Sequence, residues 1–302
     1  MAEGSADSEV IANLIPKSEK LTLIPNDLFE ADPVAEQRRP AALGGIPYYN
    51  LDTLVNGFPL IERLGEIKEM DAIKTFAGKE NVIRIRLGSI DMVLKVLGPT
   101  SPEQLESYGK LPEWEDDGLY EGFIVRQAAG MNVAHYLDPE LVDAPIGVFT
   151  YRGKPAAFMI PHIEGIPQQV GGAEYVAYPV SQDEQRDWDI MAGRLKPADM
   201  TPEEDENRIK RDNYRVRIKN LRRAGIVIDD ADPASNAIVT GAKVVWTETP
   251  YTDKLSGEQR MSRNYHYEDI KPGNPRGIKL IDLEVRSRHL NKPLSQWSVP
   301  KR

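Results

Sequence analysis

The chain has 302 residues, a hydrophobic fraction of 40% and a formal net charge of -9 at pH 7. This length allows two modest lobes or one large domain, and the acidic balance disfavours non-specific binding to nucleic acid or to an anionic membrane. The chain contains no cysteine, which excludes disulfides, thiol catalysis and cysteine-ligated metals, and it has no apolar run near the roughly 20 residues of a membrane helix.

Residues 1 to about 45 are small, polar and interrupted by prolines, with little periodicity. This composition is typical of a disordered leader, which we expect here. A segment for export or partner binding is the alternative, and composition does not separate the two. The segment has neither the positive start nor the apolar core of a signal peptide.

After the leader, the sequence predicts a helix from about residue 60, followed by an antiparallel meander. Its three strands are expected at 72–76, 81–87 and 90–97, joined by short turns that contain glycine. The last strand is apolar except for Lys95 near its end. A lysine at this position can be functional, or it can be an edge residue whose ammonium group reaches solvent.

A helix is predicted from about residue 119 to 133, followed by a hairpin with strands at 146–151 and 154–160. Glu121 shares one helical face with apolar residues, so its carboxylate points in the same direction as a packing surface. An ordinary surface glutamate explains the same pattern. The second hairpin strand ends in an apolar run that leads into a connector at 161–165.

The second half opens with a strong helix start, where Thr201 is the expected N-cap, Pro202 follows, and Glu204 stands at the third helical position. Acidic residues fill the first turn and basic residues the last turn, as the helix dipole favours. Gly225 is suited to the C-terminal cap. We therefore expect a long helix that ends directly before the next motif.

An acidic loop between two short apolar strands is the most distinctive feature of the sequence. It contains Asp229, Asp230 and Asp232, and Asn236 opens the second strand. Carboxylate and amide oxygens at the mouth of a core are costly unless they bind a ligand such as a cation. A solvated turn is the alternative, because Asp-Pro and Ser-Asn are common in turns.

The last segments are a polar stretch near 241–277, a strand at 278–283, and a tail from Val285 with little sign of further core. Asp282 lies at the end of the strand, in the sequence Leu-Ile-Asp-Leu-Glu. The carboxylate either caps the strand or binds a metal ion. The four histidines are scattered and lack the spacing of zinc ligands.

Five residues in chain order resemble the functional set of the protein-kinase-like superfamily: Lys95, Glu121, Asp230, Asn236 and Asp282. The resemblance covers roughly residues 65 to 290 and is closest to a divergent or minimal member similar to bacterial effector kinases. It implies an α+β, two-lobed fold. The N-lobe would span 46–163 with an antiparallel sheet, and a truncated C-lobe would span 164–302 with an insertion near 241–277.

The resemblance also implies ATP and Mg²⁺ as cofactors. Lys95 would hold the nucleotide phosphates and Glu121 would orient it, while Asp230 would orient the attacking hydroxyl and Asn236 and Asp282 would bind Mg²⁺. Three further residues would contact the nucleotide: Gly78, Ile160 and His162. The expected reaction is transfer of the γ-phosphoryl group to a hydroxyl, on a protein acceptor.

The sequence departs from the family pattern at several points. The glycine-rich loop keeps only Gly78, the spacing from Asp230 to Asn236 has one extra residue, and Asp-Phe-Gly is replaced by Asp-Leu-Glu. Asp229 and Asp232 compete with Asp230 for the role of base. Two alternatives remain open: an inactive pseudokinase that only binds, and transfer of AMP on the same fold.

The resemblance and the composition together give expectations for partners and location. We expect ATP and a protein substrate as partners, and neither nucleic acid nor a membrane. The expected location is the cytoplasm, or a host cytosol after secretion.

Overall fold

A computed structural model of the protein describes residues 29–54, 82–87, 90–96, 121–151, 154–167, 173–181, 183–228, 236–272 and 275–299. The described residues form a mixed α+β fold in two compact units. The first unit contains the described residues up to His162, together with Asn220–Ile228 and the chain from Asp282 onward. The second unit contains the described residues of Ile163–Lys219 and of Asp229–Ile281. Two later segments of the chain thus belong to the first unit.

The first unit contains a six-stranded sheet in the order β1-β2-β5-β6-β4-β3. All neighbouring strands are antiparallel except β2 and β5, which are parallel. The strands are β1 (Phe29–Ala31), β2 (Tyr48–Leu54), β3 (Val82–Leu87), β4 (Ile90–Val96), β5 (Gly147–Tyr151) and β6 (Lys154–Pro161). The two predicted hairpins, β3–β4 and β5–β6, are confirmed. The expected strand at 72–76 and the helix from about residue 60 lie outside the described residues.

One long helix, α2 (Glu121–Leu137), packs against β6 and against the short strands β8 (Ile226–Ile228) and β13 (Leu283–Val285). Its residues from Ile124 to Ala134 are all buried. The helix therefore lies within the core of the first unit, and its predicted existence near 119–133 is confirmed.

The chain from Phe29 onward differs from the predicted disordered leader. It forms β1, the short helix α1 (Pro33–Glu36) and a 3₁₀ turn at Ala41–Leu43. In that turn Ala42 and Leu43 are fully buried, and the amide of Asn132 on α2 donates hydrogen bonds to both of their carbonyl oxygens, at 3.1 and 2.9 Å. These partners are distant in sequence, so the local composition does not reveal them. Residues 1–28 lie outside the described residues.

The C-terminal tail also differs from the expectation of little further core. Trp297 is only 3% exposed, and its indole N–H donates to the carbonyl oxygen of Lys292 at 3.1 Å. Its ring meets the ring of His289 edge-on, with centroids 5.7 Å apart. Gly225, at the predicted helix end, has a φ of +104° and lies beside both rings. The rings of His289 and Trp297 in the tail therefore pack against the end of the helix Pro202–Ala224.

The second unit contains the three-stranded sheet β12-β9-β7 and a separate two-stranded hairpin, β10–β11. Its strands are β7 (Gly165–Pro167), β9 (Ala237–Thr240), β10 (Ala242–Thr252), β11 (Gln259–Asp269) and β12 (Gly277–Leu280). Its helices are α3 (Ala173–Ala177), α4 (Glu184–Met191) and α5 (Pro202–Ala224), the last of which ends in the first unit. No helix within the described residues is long and apolar enough to cross a membrane.

The predicted start of α5 is confirmed in detail. The hydroxyl of Thr201 accepts a hydrogen bond from the backbone N–H of Glu204 at 3.2 Å, and the Glu204 carboxylate accepts one from the Thr201 N–H at 2.8 Å. This reciprocal arrangement is a capping box. Arg186 on α4 also donates to the same carboxylate, so Glu204 joins two helices.

The lowered pKa of Glu204 predicts that the free energy of unfolding depends on pH. The hydrogen bond from Arg186, followed by that from the Thr201 backbone, lowers the pKa of the Glu204 carboxyl from 4.5 to about 2. A lowered pKa means that the charged form stabilises the folded state above about pH 4.5, and that this stabilisation is lost as the pH falls towards 2. Glu204→Gln should lower the melting temperature at pH 7 and flatten its acid dependence in this window.

The matched control is Glu203→Gln, which changes an exposed neighbour in the same helical turn. The measurement is thermal unfolding between about pH 2 and pH 7. Equal effects of the two substitutions at every pH would show that the capping carboxylate has no special role.

Candidate functional site

Lys95 lies on an interior strand of the sheet, near the end of that strand. It is on β4, opposite Val82 on β3 and Phe158 on β6. The residue is only 9% exposed, and its Nζ atom lies 5.6 Å from the centroid of the Phe158 ring. A buried ammonium group requires a counter-charge or a ligand. The interpretation of Lys95 as an edge residue that reaches solvent is therefore wrong.

The counter-charge is Asp282, which forms an ion pair with the Lys95 ammonium. The two side chains are 11% and 12% exposed. Asp282 lies between β12 and β13 and has a φ of +60°, a left-handed conformation that is uncommon outside glycine. The predicted strand at 278–283 is therefore two short strands, and the turn between them brings the carboxylate to the lysine.

The segment after Asp282 is held in place by α2. Gly130 of α2 lies so close to β13 that a Cβ atom added there would be 2.4 Å from the Cα of Glu284. Arg126, one turn earlier, pairs with the Glu284 carboxylate at 3.8 Å and donates to the hydroxyl of Ser287 at 3.3 Å. These contacts connect the helix to the strand that begins one residue after Asp282.

Sequence reasoning did not single out Arg126 or Gly130. In the sequence, both residues interrupt a mostly apolar helical stretch. An arginine in such a stretch requires a partner, and a glycine in the middle of a helix commonly has a packing reason. Neither exception identifies the partner, because Glu284 is far away in sequence.

The close approach at Gly130 predicts the effect of a single added methyl group. Ala has a higher helix propensity than Gly by about 1 kcal/mol, so Gly130→Ala would stabilise an unobstructed helix. Here we expect a loss of about 1–3 kcal/mol, typical of overpacking a dense core. The control is Gly45→Ala, where an added Cβ has no neighbour within 4 Å. Denaturant unfolding of both variants is the measurement, and a stabilised Gly130→Ala protein would contradict the packing described here.

The acidic loop itself, residues 229–235 with Asp229, Asp230 and Asp232, lies outside the described residues, but both of its ends are described. In the first unit, Ile228, directly before the loop, pairs with Leu283, directly after Asp282. In the second unit, the Asn236 carbonyl oxygen, directly after the loop, accepts a hydrogen bond from the N–H of Ile281 at 2.7 Å. The two strands that flank the loop thus pair with the two strands that flank Asp282.

Asn236 is the predicted metal ligand of the second unit. It is 5% exposed, and its side-chain Nδ2 atom has no hydrogen-bond partner among the described residues. A buried amide N–H₂ group without a partner costs free energy, which suggests that a hydrogen-bond acceptor occupies the place beside Nδ2. The amide oxygen is a suitable ligand for Mg²⁺.

The structure describes three of the four other residues that were predicted to contact the nucleotide. Glu121 is the first residue of α2, Ile160 is buried in β6, and His162 follows β6 directly. Gly78 lies outside the described residues. No group of three or more histidine, aspartate or glutamate side chains within the described ranges is arranged to hold a metal ion.

Comparisons with protein-family models, with curated proteins and with solved structures found no match to this chain.

Proposed function

We propose that this protein is a kinase-like phosphotransferase that transfers the γ-phosphoryl group of ATP to a hydroxyl, with a protein as the acceptor. The observation that carries the proposal is the buried ion pair between Lys95 and Asp282. The resemblance gives the two residues neighbouring roles, with Lys95 on the phosphates and Asp282 on the metal ion. Phosphoryl transfer requires these two groups at the same phosphates.

The arrangement of the strands and of α2 supports a two-lobed kinase-like fold. α2 lies in the chain between the strand of Lys95 and the β5–β6 hairpin, and it packs against the same sheet. The resemblance implies an antiparallel N-lobe sheet with one helix, and the observed sheet is antiparallel except between β2 and β5. The pairing of β8 with β13 and of β9 with β12 connects the ends of the acidic loop to the flanks of Asp282.

In the proposed mechanism, the chain's own groups bind and orient the reactants. The Lys95 ammonium binds the α- and β-phosphates, and the carboxylate of Asp282 and the amide oxygen of Asn236 are the metal ligands. Bound Mg²⁺ would neutralise the phosphate charge. Asp230 orients the acceptor hydroxyl and accepts its proton. The acceptor oxygen bonds to the γ-phosphorus as the bond to the β–γ bridging oxygen breaks, and ADP leaves.

The other predicted residues have supporting roles in this proposal. Glu121 orients Lys95, as the corresponding helix glutamate does in the family. Ile160 and His162 contact the nucleotide where β6 ends, and Gly78 covers the phosphates. Lys95 pairs with Asp282 in the structure. Binding of nucleotide and metal must therefore replace part of this ion pair with contacts from Lys95 to phosphate and from Asp282 to the metal ion.

The test is incubation with ATP labelled either at the γ- or at the α-phosphate, in Mg²⁺ or Mn²⁺, followed by detection of labelled protein. Label from the γ-position alone is the expected result. Label from the α-position would instead support AMP transfer. Nucleotide-dependent thermal stabilisation without labelling would support an inactive binding protein, and absence of both would overturn the proposal.

A further inference from the structure

The hairpin β10–β11 has two chemically different faces. Its strands pair in one uninterrupted antiparallel register, from Ala242 opposite Asp269 to Thr252 opposite Gln259. Alternate residues of a strand point to opposite faces, so cross-strand pairs also alternate. One face carries the polar pairs Lys243–Glu268, Thr247–Asn264 and Thr249–Ser262. Within the described ranges, no further strand is hydrogen-bonded to this hairpin.

The opposite face, here called the aromatic face, carries four consecutive cross-strand pairs: Val244–Tyr267, Trp246–Tyr265, Glu248–Arg263 and Pro250–Met261. The rings of Trp246 and Tyr265 meet edge-on with centroids 5.3 Å apart, and Tyr265 meets Tyr267 at 5.9 Å. Trp246 is 57% exposed and Met261 is 58% exposed. Single exposed apolar residues are ordinary, but a contiguous row of them marks an interaction surface.

We propose that the aromatic face is the interface at which two copies of this chain associate. The argument for a second copy, rather than an unlike partner, is the charge pattern of the face. Glu248 and Arg263 lie opposite each other in its centre and are paired at 3.0 Å. When two such faces pack about a two-fold axis that runs parallel to the strands, Arg263 of each copy lies over Glu248 of the other, so the interface is isologous and its charges are complementary.

The charge of the whole hairpin also favours a second copy of the chain as the partner. Between residues 242 and 269 the chain has four basic and five acidic side chains, so the hairpin is close to neutral in a protein with a net charge of -9. A strongly charged partner would not be attracted to it, and two nearly neutral faces do not repel each other. Aromatic residues and methionine surrounding a small number of charges are also the composition that is enriched at protein interfaces.

The area of the aromatic face sets the expected strength of association between two copies. An 11-residue strand spans about 37 Å, so a two-stranded face about 11 Å wide offers roughly 400 Å² per copy. The total of roughly 800 Å² is below the range of about 1,200–2,000 Å² for stable complexes. We therefore expect a weak dimer whose population depends on protein concentration. This inference does not depend on the proposed phosphoryl transfer.

Charge exchange on the full-length chain tests the interface. Glu248→Arg places two basic residues in the centre of the face, and Arg263→Glu places two acidic ones there. Each variant alone should be monomeric over about 10–500 µM by sedimentation, where the unmodified chain self-associates. An equimolar mixture of the two variants should associate again, because unlike faces then meet.

The matched control is Asn264→Arg, which adds one positive charge to the polar face of the same hairpin and should leave association unchanged. Four results would overturn the proposal: a monomeric unmodified chain throughout this range, continued association of both single variants, no association in the mixture, or an equal loss for Asn264→Arg. Circular dichroism of each variant confirms that the comparison is made on folded protein.

Discussion

Replacing Lys95 by methionine is expected to destabilise the protein by about 3–5 kcal/mol and to abolish its stabilisation by ATP and Mg²⁺. The substitution leaves the carboxylate of Asp282 buried without its counter-charge, which is the costly way to break an ion pair. Asp282→Asn, a residue that tolerates the same left-handed backbone, leaves the ammonium of Lys95 buried without its counter-charge and should cost a similar amount. Chemical denaturation measures the loss, and thermal shift with nucleotide measures binding.

The double variant Lys95→Met/Asp282→Asn separates structure from function. With both charges removed, no buried charge is left without its partner, and most of the lost stability should return. Nucleotide binding should not return, because the groups proposed to hold phosphate and metal are absent. The control is Lys243→Met, which removes an exposed partner of Glu268 and should cost at most about 1 kcal/mol.

Two outcomes would contradict this interpretation. A double variant that is still stabilised by ATP and Mg²⁺ would show that the ion pair is only structural. Single variants as stable as Lys243→Met would show that Lys95 and Asp282 are not held together in the interior.

Asp230→Asn is expected to lower the rate of γ-phosphoryl transfer by about 10²–10⁴-fold, the usual contribution of a positioned base. Nucleotide affinity should change little, because the proposed role of Asp230 is on the acceptor hydroxyl and not on the phosphates. Ile228 is the last residue of β8, so Asp229 and Asp230 are the first loop residues after the strand. The measurement is transfer rate together with nucleotide affinity for each variant.

Asp229→Asn and Asp232→Asn are the matched controls, since each removes one carboxylate from the same loop. Both should retain most of the activity. If Asp232→Asn is inactive while Asp230→Asn is active, the assignment within the loop is shifted. If all three variants are active, the loop is a solvated turn, and the proposed mechanism fails.

Local features of the fold were predictable because their causes are local. Strands β3 and β4 follow from alternating and continuous apolar runs, and the start of α5 follows from Thr201 and Glu204 three residues apart. Such signals depend on side chains within one or two turns of each other. The order and the chemistry of Lys95 and Asp282 were likewise visible in the sequence.

Several features were not predictable because their partners are distant along the chain. The burial of Ala42 depends on Asn132, and the burial of Trp297 depends on the end of α5. The strand predicted across 278–283 did not anticipate the left-handed backbone of Asp282. The polar segment near 241–277 did not suggest a hairpin with one aromatic face, since alternate residues there mix charge with aromatic rings.

By itself, the sequence determined the α+β character and the helix with its capping box, and it contains the charged residues on which the proposed phosphotransferase activity depends. These depend on composition, periodicity and short-range hydrogen bonding. Only the tertiary structure decided that Lys95 meets Asp282, that Arg126 and Gly130 hold the strand beyond it, and that the strands flanking the acidic loop pair with those flanking Asp282. A charge pair in the interior is set by which strands become neighbours in the fold, and strand order arises from the burial of many side chains together rather than from any one segment.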